Sequence, residues 1–307
     1  MRQAHRSSMT LVGAMIVIGL AGCGTDAPTT PEAAESAARE RSNAFITLAP
    51  PGNVQSQAWG IDPSGKVVVG AYRTEDDAVH GFVFARETFT TIDYPGTAFS
   101  LITGINGRGE MVGFWQDADG VQHGYVLQNG VFATVDVPEA SSTRIDGINA
   151  SGDIVGAYDA PDGRSPGFVR RHGQFTAVEP FPGATFTVAK GISSSGDVVG
   201  YWAVNNENDE EIERHGFLLR HGTYTIVDFP GSTKTGLSAV NDEGNMLGWY
   251  DDVDGVTHAF LLRQGRFSTI DVPGSTFTRG NALNDRGDTV GWYDDADGME
   301  HGFVHRK

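Results

Sequence analysis

Beyond Ala44 the chain is written in short runs of about four to seven residues in which apolar and polar positions alternate, each closed by a turn rich in Gly, Asn or Asp. One copy of the pattern reads Gly104-Ile105-Asn106, Met111-Val112-Gly113, His123-Gly124-Tyr125 and Phe132-Ala133-Thr134-Val135-Asp136. This order returns six times at a spacing of about 44 residues. Alternation with a period of two predicts strands. Turns such as Asn106-Gly107-Arg108-Gly109 and Asn284-Asp285-Arg286-Gly287 predict tight antiparallel links, because Gly takes the left-handed exit conformation without steric cost. Each copy therefore reads as a four-stranded meander with no helix.

One meander leaves both of its faces uncovered, so the copies must pack on one another. A repeat this long suits the four-stranded blade of a β-propeller better than one coil of a solenoid. The sixth copy stops at His301-Gly302-Phe303-Val304-His305-Arg306-Lys307 without a fourth strand. Phe45-Ile46-Thr47-Leu48, followed by Pro51-Gly52, is a fourth strand without a blade. The sequence thus predicts an all-β, six-bladed β-propeller of four-stranded antiparallel blades over residues 45–307. Phe45, Ile46 and Leu48 are expected to pack into the last blade and close the ring, leaving no raw sheet edge.

The opening segment has a different pattern. Arg2 and Arg6 precede an apolar run from Leu11 to Ala21, the layout of a secretory signal. That run is too short to cross a bilayer, which takes about 20 residues. Leu20-Ala21-Gly22-Cys23 resembles the lipobox of bacterial lipoproteins, so residues 1–22 are expected to be removed and Cys23 to carry the lipid. Cys23 is the only cysteine, which leaves the exported domain no thiol for a disulfide. Residues 23–44, rich in Ala, Pro, Thr, Ser and Glu, have too little apolar surface to fold and are expected to form a flexible tether. Gly24, with no Asp there, agrees with sorting to the outer membrane or cell surface. The net charge of −17 argues against nucleic acid and against an electrostatic hold on anionic lipid. The membrane would be reached through the anchor at Cys23, and a monomer is expected.

The segments His-Gly/Ala-Phe, Gly-x-Phe-x-Thr-Ile-Asp-x-Pro-Gly, Gly-Ile-Asn-x-x-Gly and Val-Gly-x-Tyr together resemble the bacterial extracellular repeat called HAF, and His258-Ala259-Phe260 spells the name. The resemblance covers Phe45 to Lys307. It implies an exported bacterial repeat protein and no particular chemistry. Three departures stand out: Pro166 in place of the His in the third copy, Glu139 in place of Gly after Pro138, and extra acidic residues from Asn205 to Arg214 in the fourth. That insertion reads either as a partner contact or as a tolerated surface loop.

Candidate chemistry lies in four sets of positions. His80, His123, His215, His258 and His301 open third strands, where bonding within the blade is expected rather than a shared metal. Asp252 and Asp254, like Asp295 and Asp297, alternate before a Gly as in part of a calcium loop; the late acidic ligand is missing, so calcium is only a weak alternative. Tyr72, Trp115, Tyr158, Trp202, Tyr250 and Tyr293 share one repeat position, where rings can pack blades together or, as Trp115 and Trp202 would, stack on sugars. Trp59, Thr103, Asp146, Lys190, Ser238 and Asn281 share another, just before the Gly-Ile step, and vary while their neighbours do not. With the first strand innermost these six line the channel, which makes them the ligand-binding candidates.

No nucleophile elbow, zinc-protease helix or phosphate loop is present. The sequence therefore favours a non-catalytic, cofactor-free envelope protein that binds a glycan or a partner protein over one face of the ring. The alternative is a propeller hydrolase or lyase, lactonase-like by fold analogy, with Asp146 and Lys190 at an axial pocket that could take a divalent metal.

Overall fold

The computed structural model describes residues 45–307 except 180, 182, 207 and 209. The signal segment, Cys23 and the tether lie outside the described residues. Within them the chain forms six sheets of four strands, each antiparallel throughout. In blade 1 the strands Gln55–Ile61, Val67–Arg73, Val79–Ala85 and Thr88–Thr91 pair in that order. Blades 2 to 5 repeat this at 100–134, 142–178, 186–226 and 234–270, and blade 6 takes 277–305 together with 45–48. The first strand of each blade lies on the axis.

The third strand carries the core. Phe82, Tyr125, Phe168, Phe217, Phe260 and Phe303 follow the Gly or Ala after the His position, and all are fully buried. Burying such a side chain is worth roughly 1.5 to 3 kcal/mol, which makes this ring of aromatics a principal source of stability. It also explains the Gly of Val-Gly-x-Tyr. A Cβ on Gly113 would stand 2.0 Å from the Leu101 carbonyl oxygen and 2.9 Å from the Tyr125 ring, so no larger residue fits beneath the aromatic. The turn glycines behave as their sequence implies: Gly109, Gly152, Gly244 and Gly287 have φ of 77°, 86°, 77° and 90°. Glu139, standing where other copies have Gly, is held at φ 65°.

The N-terminal strand Phe45–Leu48 pairs antiparallel with Glu300–His305, in the register Phe45 to His305 and Leu48 to Gly302, and completes blade 6. Leu48 is enclosed with Ala58, Val68, Phe82, Val290 and Val304, a cluster that joins the first blade to the last. The Ser56 hydroxyl donates to the Leu48 carbonyl (2.6 Å) and accepts from the Gly302 amide (3.0 Å). Here the sequence expectation needs correction, because Ile46 is 43% exposed and Phe45 only half-buried against Phe303 and His305. Leu48 is the latch. The equivalent hydroxyls of Ser100, Thr143 and Thr235 accept the amides of Tyr94, Val137 and Phe229 at 3.0 Å. The Ser or Thr that opens these copies is thus a staple from one blade to the next, whereas Thr187 Oγ1 in the fourth copy is buried without a partner among the described residues.

Blade 6 also holds an electrostatic conflict beside this joint. Asp294 faces Glu300 across the second and third strands. Burial and the Asp294 charge push the Glu300 carboxyl up, against the Gln57 amide that bonds it at 2.7 Å. A raised folded-state value means that this group favours the fold at low pH and loses that contribution as pH climbs past it. Glu300→Gln, which keeps an acceptor for Gln57, is therefore expected to raise the melting temperature at pH 8 and leave it unchanged at pH 4. Thermal melts at both pH values check this.

Candidate axial binding site

Every first strand carries one extra residue. The pairing with the second strand shifts between Ala58 and Gly60, Ile102 and Gly104, Ile145 and Gly147, Ala189 and Gly191, Leu237 and Ala239, and Gly280 and Ala282. The bulged residues are Trp59, Thr103, Asp146, Lys190, Ser238 and Asn281, the same six that vary in sequence. A bulge leaves a residue out of the ladder and re-aims its side chain. All six line one axial cavity of about 100 Å³. The structure thus brings the six channel candidates together.

Within this cup Lys190 Nζ donates to Asp146 Oδ1 at 2.6 Å, and Arg144 Nε donates to Asp146 Oδ2 at 3.1 Å. Asp146 and Lys190 are both buried. Burial opposes ionisation of Asp146, yet the Arg144 and Lys190 charges outweigh it and hold the carboxyl below the usual carboxylate range. Lys190 also lies 5.0 Å from the centre of the Trp59 ring, which belongs to the blade across the axis. Both oxygens of Asp146 are occupied, so it is not poised as a free general base. Thr103 is satisfied by the Ile145 carbonyl (2.8 Å), and the Asn281 amide donates to the Ala58 carbonyl (2.9 Å). Three polar atoms remain buried without partners: Trp59 Nε1, Ser238 Oγ and Asn281 Oδ1.

The floor of the cup is apolar. Ile61, Ile105, Ile148, Ile192, Val240 and Leu283 separate it from a second axial hollow of about 120 Å³ at the opposite end. That end is lined by the turns between first and second strands, and their Asn side chains bind neighbouring blades. Asn106, Asn149 and Asn241 donate through Nδ2 to the carbonyls of Asn149, Ser193 and Asn284 at 3.1, 3.0 and 3.2 Å. The Asn of Gly-Ile-Asn is thereby a structural link and not a ligand group.

Toward the other face, Arg144 and Arg279 stand two residues before the bulged Asp146 and Asn281, and Tyr201 and Trp249 pair with Val188 and Gly236, two residues before the bulged Lys190 and Ser238. The Trp249 ring carries two guanidinium groups, Arg214 at 4.1 Å and Arg279 at 4.4 Å from its centre. Arg214 comes from the fourth-copy insertion, which is a hairpin extension and not a loose loop: Val198–Asn205 pairs with Glu211–Arg220 out to Asn205 and Glu211. Glu211 bonds Arg214 Nε (3.0 Å) and faces Lys234 Nζ (3.3 Å) in blade 5. Sequence reasoning missed Arg144 and Arg279, and reached Arg214 only as the end of the acidic insertion. The available signal was the lone Arg in the acidic insertion.

The remaining candidates are tied into the scaffold. His80, His123, His215 and His258 bond through Nδ1 to Asp93, Asp136, Asp228 and Asp271 at 2.7 to 2.9 Å, within their own blades. His301 has no such Asp, since the latch strand brings Ala49 there, and it bonds Asp295 at 2.9 Å. Trp115 is stacked between Tyr94 (4.3 Å) and His123 (4.8 Å), and Trp202 between Phe181 (5.1 Å) and His215 (4.6 Å). Both rings pack blade on blade. Asp252 and Asp295 each accept two amides of their own turns at 2.9 to 3.0 Å, as Asx turns do, and turn the other oxygen to a His. The Asp254 and Asp297 amides are among those donors, and among the described residues no three metal-binding side chains converge.

No family model matches the chain, and no curated protein matches it in sequence. Solved structures match its shape. AofleA from Arthrobotrys oligospora is 11% identical over 85% of this chain and 86% of that one, with a TM-score of 0.54. A prolyl endopeptidase is 14% identical over 84% of this chain and 40% of its own, with a TM-score of 0.51. The six-bladed fungal lectin of Aleuria aurantia is 13% identical over 74% and 76%, with a TM-score of 0.44. At such identities the likeness is one of fold.

Proposed function

We propose that the protein is a non-catalytic binding protein of the bacterial envelope that holds a glycan end group in the axial cup, entered from the face where Arg214 and Arg279 stand. One observation carries this reading: a cup built from six bulged side chains keeps Ser238 Oγ and Asn281 Oδ1 buried and unpartnered. Such atoms are costly unless something bonds them. The engagement of both Asp146 oxygens favours binding over hydrolysis or elimination, and the packing of Trp115 and Trp202 moves glycan contact from the blade interfaces to the axis. In a glycan array probed with the purified protein, Asn281→Leu is expected to weaken the best ligand at least about tenfold, the worth of one to two hydrogen bonds, in a protein that still folds and melts lower only by the loss of its bond to the Ala58 carbonyl. Retained binding in that variant, or an array with no ligand, would remove the proposal.

The HAF-like repeats and the lipobox-like Leu20-Ala21-Gly22-Cys23 support export and anchoring through Cys23. Cys23→Ala is expected to accumulate uncleaved precursor and abolish metabolic acyl labelling. Labelling that persists would show that Cys23 is not the anchor.

A further inference from the structure

The mouth of the cup is opposite in sign to the rest of the protein. The chain has 39 acidic and 22 basic Lys or Arg residues. At the mouth, however, Arg279 feels the positive charges of Arg214 and Arg144, and Lys190 in the cup feels those of Arg144 and Arg279. Asp146 is engaged by Arg144 and Lys190, and Glu211 by Arg214 and Lys234. Among the described residues no carboxylate forms an ion pair with Arg279. Its Nε is buried without a partner, and it lies against the Trp249 ring. Gathering guanidinium groups in a partly desolvated mouth is unfavourable without an anion, and their forked donors match a carboxylate.

The inner wall asks for something else. Asn281 Oδ1 can only accept a hydrogen bond, and a carboxylate has no proton to give it. Ser238 Oγ likewise lacks a partner beside it. A ligand that satisfies both regions carries a negative group at one side and hydroxyl donors at the other. Because Arg279 and Asn281 stand two residues apart on one inner strand, the two needs fall on one small molecule.

Resting on the axial binding reading, the geometry points to a sugar acid as the ligand: a terminal uronate whose carboxylate meets Arg279 and Arg214 while its hydroxyls donate to Asn281 and Ser238. The cup's volume of about 100 Å³ suits one end group and not a chain segment. A peptide carboxylate would supply the charge without the cluster of hydroxyls.

Isothermal titration of the purified protein with glucuronate- and galacturonate-terminated disaccharides, their glucose- and galactose-terminated parents, and inorganic phosphate tests this. At least one uronate is expected to bind about tenfold or more tightly than its neutral parent, as charged hydrogen bonds imply. Arg279→Gln is expected to bring the uronate and its neutral parent to the same affinity. Arg214→Gln, on the inserted hairpin, provides the same comparison if Arg279→Gln does not fold. Equal binding of uronate and parent would overturn the sugar acid and leave axial glycan binding standing. Phosphate binding as tightly as the uronate would reduce the site to a simple anion site and overturn the claim. Failure of every saccharide would overturn both readings together.

Discussion

Removal of residues 45–48 from the full chain is expected to yield a protein that aggregates or unfolds at ordinary temperature. The deletion uncovers the cluster around Leu48, whose burial is worth roughly 1.5 to 3 kcal/mol. It also breaks the ladder to Glu300–His305 at about 0.5 to 1.5 kcal/mol per hydrogen bond, and strips Ser56 of the carbonyl it bonds. Typical domains hold only about 5 to 15 kcal/mol, so little remains. Leu48→Ala alone should cost about 2 to 5 kcal/mol, whereas Ile46→Ala, at an exposed position, should cost far less. Urea titration separates these. A truncated chain that melts like the intact one would mean that the ring does not depend on its N-terminal strand.

Asp146→Ala is the second large effect expected. It leaves the Lys190 ammonium buried in the cup with no carboxylate, and breaking a buried pair in this way costs about 3 to 5 kcal/mol. Arg144, partly exposed, can turn to water. Replacing both partners by apolar residues, Asp146→Leu with Lys190→Met, should recover most of the loss, because the unpaired charge is gone. The folded Asp146 carboxyl lies below its ordinary value, so its contribution is complete above the unfolded value of about 3.9 and is lost as pH falls through the folded one. The wild type should therefore weaken at acid pH more steeply than Asp146→Ala. Urea midpoints from pH 2 to pH 7 check both statements, and a single variant as stable as the wild type would show that the pair is not enclosed.

The blades were legible because strands alternate with a period of two and their turns need Gly at fixed places. The closure was legible because a lone strand at one end matches a missing strand at the other. The bulge was not. One extra residue in Thr143-Arg144-Ile145-Asp146-Gly147-Ile148 leaves the run looking like any polar-apolar alternation, and only pairing with the second strand shows that Asp146 has no partner there. For Trp115 and Trp202 the sequence offered blade packing beside sugar stacking, and the choice between them needed the stacking partners Tyr94 and Phe181, which sit on the links from the preceding blades. The Asp partners of the histidines stand thirteen residues downstream in four copies, a regularity visible in the sequence once the pairing is known. Arg214 and Arg279 could not be joined from sequence, because what joins them is the Trp249 ring, against which both guanidinium groups pack.

The six bulges divide the labour of the inner strands. Residues within the ladder are constrained by their partners on the second strand, while a bulged residue has no partner strand position to satisfy. The axis thus presents six letters that the ladder does not dictate, of which Asp146 and Lys190 must be rewritten as a pair. Rewriting Ser238, whose hydroxyl bonds nothing among the described residues, would change the lining of the cup while leaving every ladder as it is.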